Sequence, residues 1–470
     1  MEEVASEVKA GPTGAETGGG AVGSRAMLSE RATVAGIALL AFAVRLAFIA
    51  YARFVPTLND DAGRYDLLGR SLAQAAGYVN PNGTTTLFWP PGYPFILAAV
   101  YRLSGDSVRA ALVVNALLAS GTVVLVYLIG RRAFDARTGL IAAALYALLP
   151  SAVFFADVTL SETAFTFVLL LGVWLIIEAS LRRSAWLLVL AGVVVGYAAL
   201  IRGQAALIPV VAVPFWAWID GRSSDEVAGR KSRVAGRGWR ESIAGRTAAP
   251  FVVVGIAAAA VVAPWTIRNF VESGSPVVIS TNAGVDFYIG HSAGADGHGR
   301  IVNELVFRYP NLSEPRAEAK ISNDGFREGL SYAAHHPARE VTLAVRKVGI
   351  LYYSDHEALR WVDGHAERHV FDVGMFHALS RLSDVYYWGL LVLALAGIVR
   401  WLSFPHGAAG GVRLLLVSIV VYWTLVHVAF FADPRFHAPI MPVVCLWAAV
   451  GVGVIADVVI HRWPQMGTDG

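Results

Sequence analysis

Apolar stretches long enough to cross a lipid bilayer recur along this chain, and that recurrence limits what it can fold into. The hydrocarbon core of a bilayer is ~30 Å thick and takes ~20 apolar residues in a helix. Backbone groups in lipid find no water, so each crossing segment must close its own hydrogen bonds as a helix. Ten segments qualify: 33–53, 107–130, 137–155, 160–181, 185–201, 204–219, 248–266, 385–401, 412–431 and 437–461. The expected fold is an all-α polytopic membrane protein with about ten transmembrane helices, external interfacial helices and a small external α/loop segment. Composition agrees: hydrophobic residues make up 56% and charged ones 16%, below the ~25% charge of a soluble domain. A net charge of +3 without a basic stripe excludes nucleic-acid binding. Cys445 is the single cysteine, so no intramolecular disulfide forms, and its apolar setting suits an inert thiol.

Orientation follows from where short loops carry Lys and Arg. Arg131, Arg132 and Arg137 lie between the second and third segments, and Arg182 and Arg183 between the fourth and fifth. The loop 220–247 holds Arg222, Arg230, Lys231, Arg233, Arg237, Arg240 and Arg246. All three loops thread to the side of the N-terminus, which is therefore expected in the cytoplasm of a cell whose inner (plasma) membrane holds the protein. An even number of crossings returns the C-terminus there. Residues 1–31 are expected as a disordered tail and 462–470 as a second one, with a transmembrane module over 32–266 and closing helices over 385–461. Arg25 and Arg31 ahead of the first span suit a retained signal anchor. Two long segments, 54–105 and 267–384, then face outward. Tyr93 to Leu103 is apolar but too short to cross, and reads as part of an external re-entrant or interfacial hairpin.

That threading gathers the unusual polar residues at one surface. Asn59, Asp60 and Asp61 follow the first span, and Asp157 and Glu162 flank the turn before the fourth. Arg202 closes the fifth, Arg268 and Asn269 follow the seventh, and Asp433, Arg435 and His437 form the last external turn. Charges at a membrane are costly and usually face a cavity or a partner. Singly, each could merely mark a helix end at water; as a set they outline an outward cavity of carboxylates and arginines. Asp60 and Asp61 precede Arg64, Tyr65, Leu68 and Leu72, whose spacing suits a short interfacial helix. Asp at a helix N-terminus is favoured by capping and by the dipole. The same dipole keeps a carboxylate ionised, as a general base requires. Phe88-Trp89-Pro90-Pro91-Gly92-Tyr93-Pro94 is a rigid turn whose Trp89 and Tyr93 suit an interface and could wall an acceptor cleft.

Arg268 and Arg435 are expected at the external interface, where a guanidinium grips phosphate bidentately. Ser280-Thr281-Asn282-Ala283-Gly284 is turn-forming and permits close backbone approach. Arg45 lies ~13 Å inside the first span, at 1.5 Å per residue, and is expected to pair with a carboxylate or water. His365 and His369 share a helical spacing found in metal sites but lack a third ligand of diagnostic spacing. His291, His298, His335 and His336 are expected as solvated loop residues.

The order of these motifs resembles the GT-C superfamily of membrane glycosyltransferases. They run Asn59-Asp60-Asp61, Pro90-Pro91-Gly92-Tyr93-Pro94, Glu162, Pro264-Trp265-Thr266-Ile267-Arg268-Asn269, Ser280-Thr281-Asn282-Ala283-Gly284 and Pro434-Arg435-Phe436-His437-Ala438-Pro439. The branch resembled most is that of the protein O-mannosyltransferases and the lipid A aminoarabinose transferase, over about residues 33–461. The resemblance implies a donor sugar on a polyprenyl phosphate in the external leaflet, transferred with inversion to a lipid, glycan or protein acceptor. It assigns catalysis to Asp60 and Asp61, Asp60 being the preferred base. It makes Arg435 a phosphate ligand, with Glu162 and Arg268 at family positions of less defined role. Arg202, Asn269 and Tyr93 complete the expected substrate-binding set. No cofactor is firmly implied, and a divalent metal stays open. Two rivals share these features: a secondary transporter or lipid-linked sugar flippase, and an O-antigen polymerase or ligase.

Overall fold

A computed structural model describes residues 18–57, 60–219, 238–300, 302–364, 366, 369–403 and 409–462. Asn59, His365 and most of the basic loop 220–247 lie outside them. Among the described residues there is no sheet, only three isolated bridges. The helices are α1 (Gly18–Ala52), α2 (Asp61–Ala73), α3 (Gly92–Ser104), α4 (Val108–Ala133), α5 (Ala136–Ala147) and α6 (Pro150–Phe154). Then come α7 (Ser161–Arg182), α8 (Ala185–Ile201), the broken α9 (Gly203–Ile219), α10 (Gly238–Ser273) and α11 (Asn282–Gly290). The chain closes with α12 (Glu314–His335), α13 (Pro337–Leu351), α14 (Glu357–Gly364), α15 (Val373–Leu402), α16 (Gly410–Ala429) and α17 (Met441–Arg462).

All ten expected crossing segments fall on apolar helices. Seven helices are long and apolar enough to cross: Leu28–Ala52, Val108–Ala133, Ser161–Arg182, Thr247–Ser273, Val373–Leu402, Gly410–Ala429 and Pro434–Asp457. An eighth candidate is the pair Ala136–Ala147 and Pro150–Asp157, bent by 62°. The remaining two, α8 and α9, are shorter; at 1.5 Å per residue α8 reaches only ~26 Å, just short of a bilayer core. Some boundaries shift. Helix begins at Gly18, inside the stretch expected as a tail, and α10 and α15 each run about a dozen residues or less into the expected external segment. Side chains such as Leu39, Ile256, Val392 and Leu425 are exposed on these helices. On a soluble protein they would be an aggregation surface; on crossing helices they are the face turned to lipid.

Two local devices shape the bundle. Lipid supplies no hydrophobic drive between helices, so close backbone packing must hold them together. Gly192 and Gly196 on α8 provide it against α10. A Cβ at Gly196 would lie 2.7 Å from the Ala258 carbonyl oxygen, and one at Gly192 would lie 2.5 Å from the Ala257 Cβ. The second device is the bend after α5. Pro150 has no amide hydrogen and opens the next helix, so carbonyls at the end of α5 lose partners. Arg45, fully buried in α1, donates from Nη1 to the Ala147 carbonyl at 3.1 Å and to its own Ala41 carbonyl at 3.0 Å. Among the described residues Arg45 bonds to no carboxylate: its partners are a carbonyl of its own helix and one at the end of α5. Past the bend the chain reaches α2, where Thr159 Oγ1 donates to the Ala62 carbonyl at 3.1 Å and Asn115 Nδ2 holds the Val158 carbonyl at 3.0 Å.

The segment between α10 and α15 has a small core of its own, made by Val285, Ile289, Val302, Leu305 and Ile321, with Phe88 of the loop before α3 packed into it. There α11 crosses α12 so closely that a Cβ at Gly284 would fall 1.9 Å from the Ser322 carbonyl oxygen.

Candidate active site

The site is built around the N-terminus of α2. Asp60 is its N-cap, in extended conformation, with Oδ1 accepting from the Gly63 amide at 3.0 Å and Oδ2 from Thr57 Oγ1 at 2.6 Å. Both oxygens are therefore committed to holding the helix start. Asp61, one residue on, turns the other way. Its Oδ2 meets Arg435 Nη2 at 2.7 Å, which joins the loop after α1 to the turn before α17. Arg435 is 13% exposed and Asp61 32%. The guanidinium lies over Trp361 of α14 at 4.7 Å, and its amide donates to Asp433, the cap of the 3-10 turn Pro434–Ile440.

A second ion pair stands beside the first. Arg202, where α8 ends, reaches Glu162 in the first turn of α7 at 2.6 Å and donates from Nε to Ser161 Oγ at 3.0 Å. Glu162 is nearly fully buried. The Phe436 ring lies between the two pairs, 5.1 Å from the Arg435 guanidinium and 5.7 Å from that of Arg202. Such cation–π contacts hold a guanidinium in place without neutralising it. Asp157 is fully buried and, among the described residues, neither of its oxygens is hydrogen-bonded.

The residue missed by the sequence reading is Asp286, on α11. Burial pushes its carboxyl up to about 7, the negative charge of Asp61 adds to that, and Arg435 and Arg202 oppose it. It thus faces the same charges as the two ion pairs. Its only signal in the sequence was its place just after Ser280-Thr281-Asn282-Ala283-Gly284, a stretch that reads as backbone geometry rather than chemistry.

The other expected residues serve elsewhere. Arg268 donates from Nη1 to the Thr86 carbonyl at 3.0 Å and stacks on Trp265 at 4.7 Å, so it clamps the first external loop. Asn269 is fully buried and its amide holds the carbonyls of Val277 and Ile279. Tyr93 is fully buried and hydrogen-bonded to Asn115. These three brace the loops around the site and do not join the Asp61–Arg435 cluster. His291 is buried between Glu340 and the Ala429 carbonyl, which corrects its expected solvation. His298, His335 and His336 are exposed, and His369 pairs with Asp363.

Among the described residues no group of three or more His, Cys, Asp or Glu side chains converges as metal ligands. Asp61 and Glu162 are each taken by an arginine, and a guanidinium at 2.6–2.7 Å occupies the space a cation would need.

Residues 89–228, under a third of the chain, match the family model of dolichyl-phosphate-mannose-protein mannosyltransferases. No curated protein sequence matches the chain. Among solved structures, the oligosaccharyltransferase of Archaeoglobus fulgidus, in complex with zinc and sulfate, aligns with a TM-score of 0.52 at 15% identity over 92% of this chain and 50% of that one. Its apo form gives 0.52 at 14%, over 93% and 52%. The chain thus spans about half the length of the archaeal structures it matches. ArnT from Cupriavidus metallidurans, bound to undecaprenyl phosphate, also aligns, with a TM-score of 0.36 at 15% identity over 93% and 80%. Residues 89–228 are thus similar to a mannosyltransferase family model, and the chain shares its helical frame with the archaeal oligosaccharyltransferase.

Proposed function

We propose that the protein is an inverting glycosyltransferase that moves a sugar from a polyprenyl-phosphate donor to an acceptor hydroxyl at the external face of the plasma membrane, with both termini in the cytoplasm. The observation that carries this reading is the 2.7 Å contact between Asp61 and Arg435 beside the Arg202–Glu162 pair. It sets a carboxylate and two guanidiniums together where the crossing helices end.

The donor phosphate competes with Asp61 for Arg435. When it takes the guanidinium, the Asp61 carboxylate is released. Asp61 then accepts the acceptor O–H proton as the hydroxyl oxygen bonds to the anomeric carbon. The bond from that carbon to the phosphate oxygen breaks in the same displacement, and its electron pair leaves with the polyprenyl phosphate. Attack opposite the leaving group inverts the anomeric centre. The transition state has oxocarbenium character, which nearby carboxylates stabilise, as in glycoside hydrolysis. Arg435 and Arg202 take up the charge growing on the phosphate. The base role moves from Asp60 to Asp61 because capping occupies both Asp60 oxygens. Near neutral pH Asp286 is partly protonated and can donate a hydrogen bond to the phosphate or a sugar hydroxyl.

A transporter or flippase would place a broken helix around its substrate near mid-membrane. The break after α5 is instead filled by Arg45. The test is to incubate the purified protein with radiolabelled polyprenyl-phosphate sugars and membrane extract. Label moving onto an extractable acceptor, and lost with Asp61→Asn, is the expected result. Label that stays on the lipid in all cases refutes the reading.

A further inference from the structure

A cavity lies on the outer face, lined from α2 by Arg64, three residues along the helix from Asp61. It has a volume of about 500 Å³ and is lined by Arg64, Asn80, Phe88, Trp89, Glu314 and Glu318, among others. It is within the range of small-molecule sites. The first external loop forms one wall and α12 the other. The two are fastened together: Glu314 accepts from Asn80 Nδ2 at 2.6 Å and from Thr84 Oγ1, and Glu318 accepts from Thr86 Oγ1 at 2.7 Å and the Leu87 amide at 2.5 Å. The walls are thus preorganised.

The cavity is connected to the reaction centre through α2. Asp61, Arg64 and Tyr65 are spaced i, i+3 and i+4, so they share one face of that helix. Tyr65 meets Trp89 edge-on, with ring centroids 5.4 Å apart, and forms the partition between cavity and ion pairs. Asp61 acts on one side of this partition, while Arg64 lines the cavity on the other. Among the described residues no side chain or carbonyl closes on the Arg64 guanidinium, unlike Arg202, Arg268 and Arg435.

The lining specifies a chemistry. A cation and two glutamates stand on facing walls, and burial pushes Glu318 up to about 7, so the cavity favours neither an anion nor a cation. Amide side chains and half-buried aromatic rings complete it. A ligand that suits all of these has hydroxyls, which donate and accept at once, and flat apolar C–H faces that lie on indole and phenyl rings. Hydrocarbon would strand the polar wall. A peptide held by strand pairing would need a strand edge, and the described residues contain no sheet.

We infer that this cavity is the acceptor subsite and that the acceptor is a carbohydrate chain, held with one hydroxyl directed past Tyr65 and Trp89 toward Asp61. The inference rests on the glycosyl-transfer reading above and names the acceptor class within it.

The test is binding of the full-length detergent-solubilised protein to arrays of immobilised oligosaccharides and of serine- and threonine-containing peptides, with no donor present. Wild type is expected to retain a subset of the oligosaccharides and none of the peptides. Trp89→Ala and Arg64→Gln should each weaken that binding at least tenfold. Val306→Trp, which fills the cavity from the far wall, should abolish it without touching the ion pairs, and a thermal melt of each variant confirms folding. Peptides bound in place of sugars, or sugar binding indifferent to Val306→Trp, would overturn the assignment. The two readings fail separately: label transferred to peptides with an empty sugar array removes the subsite and keeps the transferase. Sugars bound at this cavity with no transfer from any lipid-phosphate donor removes the transferase.

Discussion

Replacing Asp61 by asparagine divides the two roles that the proposed mechanism gives one carboxylate. The substitution keeps size and leaves an oxygen able to accept from Arg435, so the 2.7 Å contact survives as a hydrogen bond to a neutral group. Two things change. The base is lost, and general-base catalysis contributes typically ~10²- to 10⁴-fold. The competitor for the donor phosphate is also weakened. Losing the charge–charge attraction of a partly exposed ion pair while its hydrogen bond is kept costs up to about 1 kcal/mol. With Asp61 a third exposed, solvent screening makes that an upper figure. It corresponds to about fivefold in affinity. Asp61→Asn is therefore expected to lower kcat by two orders of magnitude or more while donor binding tightens by up to about fivefold. Steady-state kinetics with a labelled polyprenyl-phosphate sugar, together with a direct donor-binding titration, reads both. Unchanged kcat would remove the base assignment. A donor bound more weakly by the variant would refute the argument that Asp61 and phosphate compete for one guanidinium.

Gly196→Leu should part α8 from α10, because its Cβ alone would sit 2.7 Å from the Ala258 carbonyl oxygen. Overpacking of this kind costs ~1–3 kcal/mol, read as a lower melting temperature in detergent, whereas Gly255→Ala, with nothing within 4 Å, should be neutral or stabilising. Asp286 makes stability depend on pH with a defined sign. Its carboxyl is raised from 3.8 to about 7 in the folded protein. The folded state therefore holds the proton more tightly, and stability falls as pH rises between those two values. The wild type should lose melting temperature over that window relative to Asp286→Asn, and parallel curves would show that Asp286 is not buried among these charges.

The crossing helices were legible because lipid makes hydropathy a direct statement about burial and length. The meeting of Asp61 with Arg435 was legible too, although 374 residues separate them, because sidedness leaves few places for costly charges. Which of the two adjacent aspartates faces inward was not, since capping and catalysis favour the same residue type at neighbouring positions. Asp286 stayed hidden because an aspartate in a polar segment carries no signal until α11 is packed under Arg435. Arg268 and Asn269 looked like ligands for the opposite reason. Their chemistry suits phosphate, and the structure places them on carbonyls of the chain itself, apart from the Asp61–Arg435 pair. Arg45 was read as seeking a carboxylate or water, and one of its partners is a carbonyl beside the bend that Pro150 opens, about one hundred residues away.

That arrangement at Arg45 has a consequence for variation in this protein. The arginine stands well inside the first crossing helix, while the segment beyond the bend it stabilises supports the seat of α2 through Thr159 and Asn115. A change at position 45 would leave every reacting group intact and still tilt the ledge on which Asp61 rests. Damage there would register as lost turnover in an otherwise well-inserted protein, and it would be mistaken for an active-site lesion by anyone who judged residues by their distance from the chemistry.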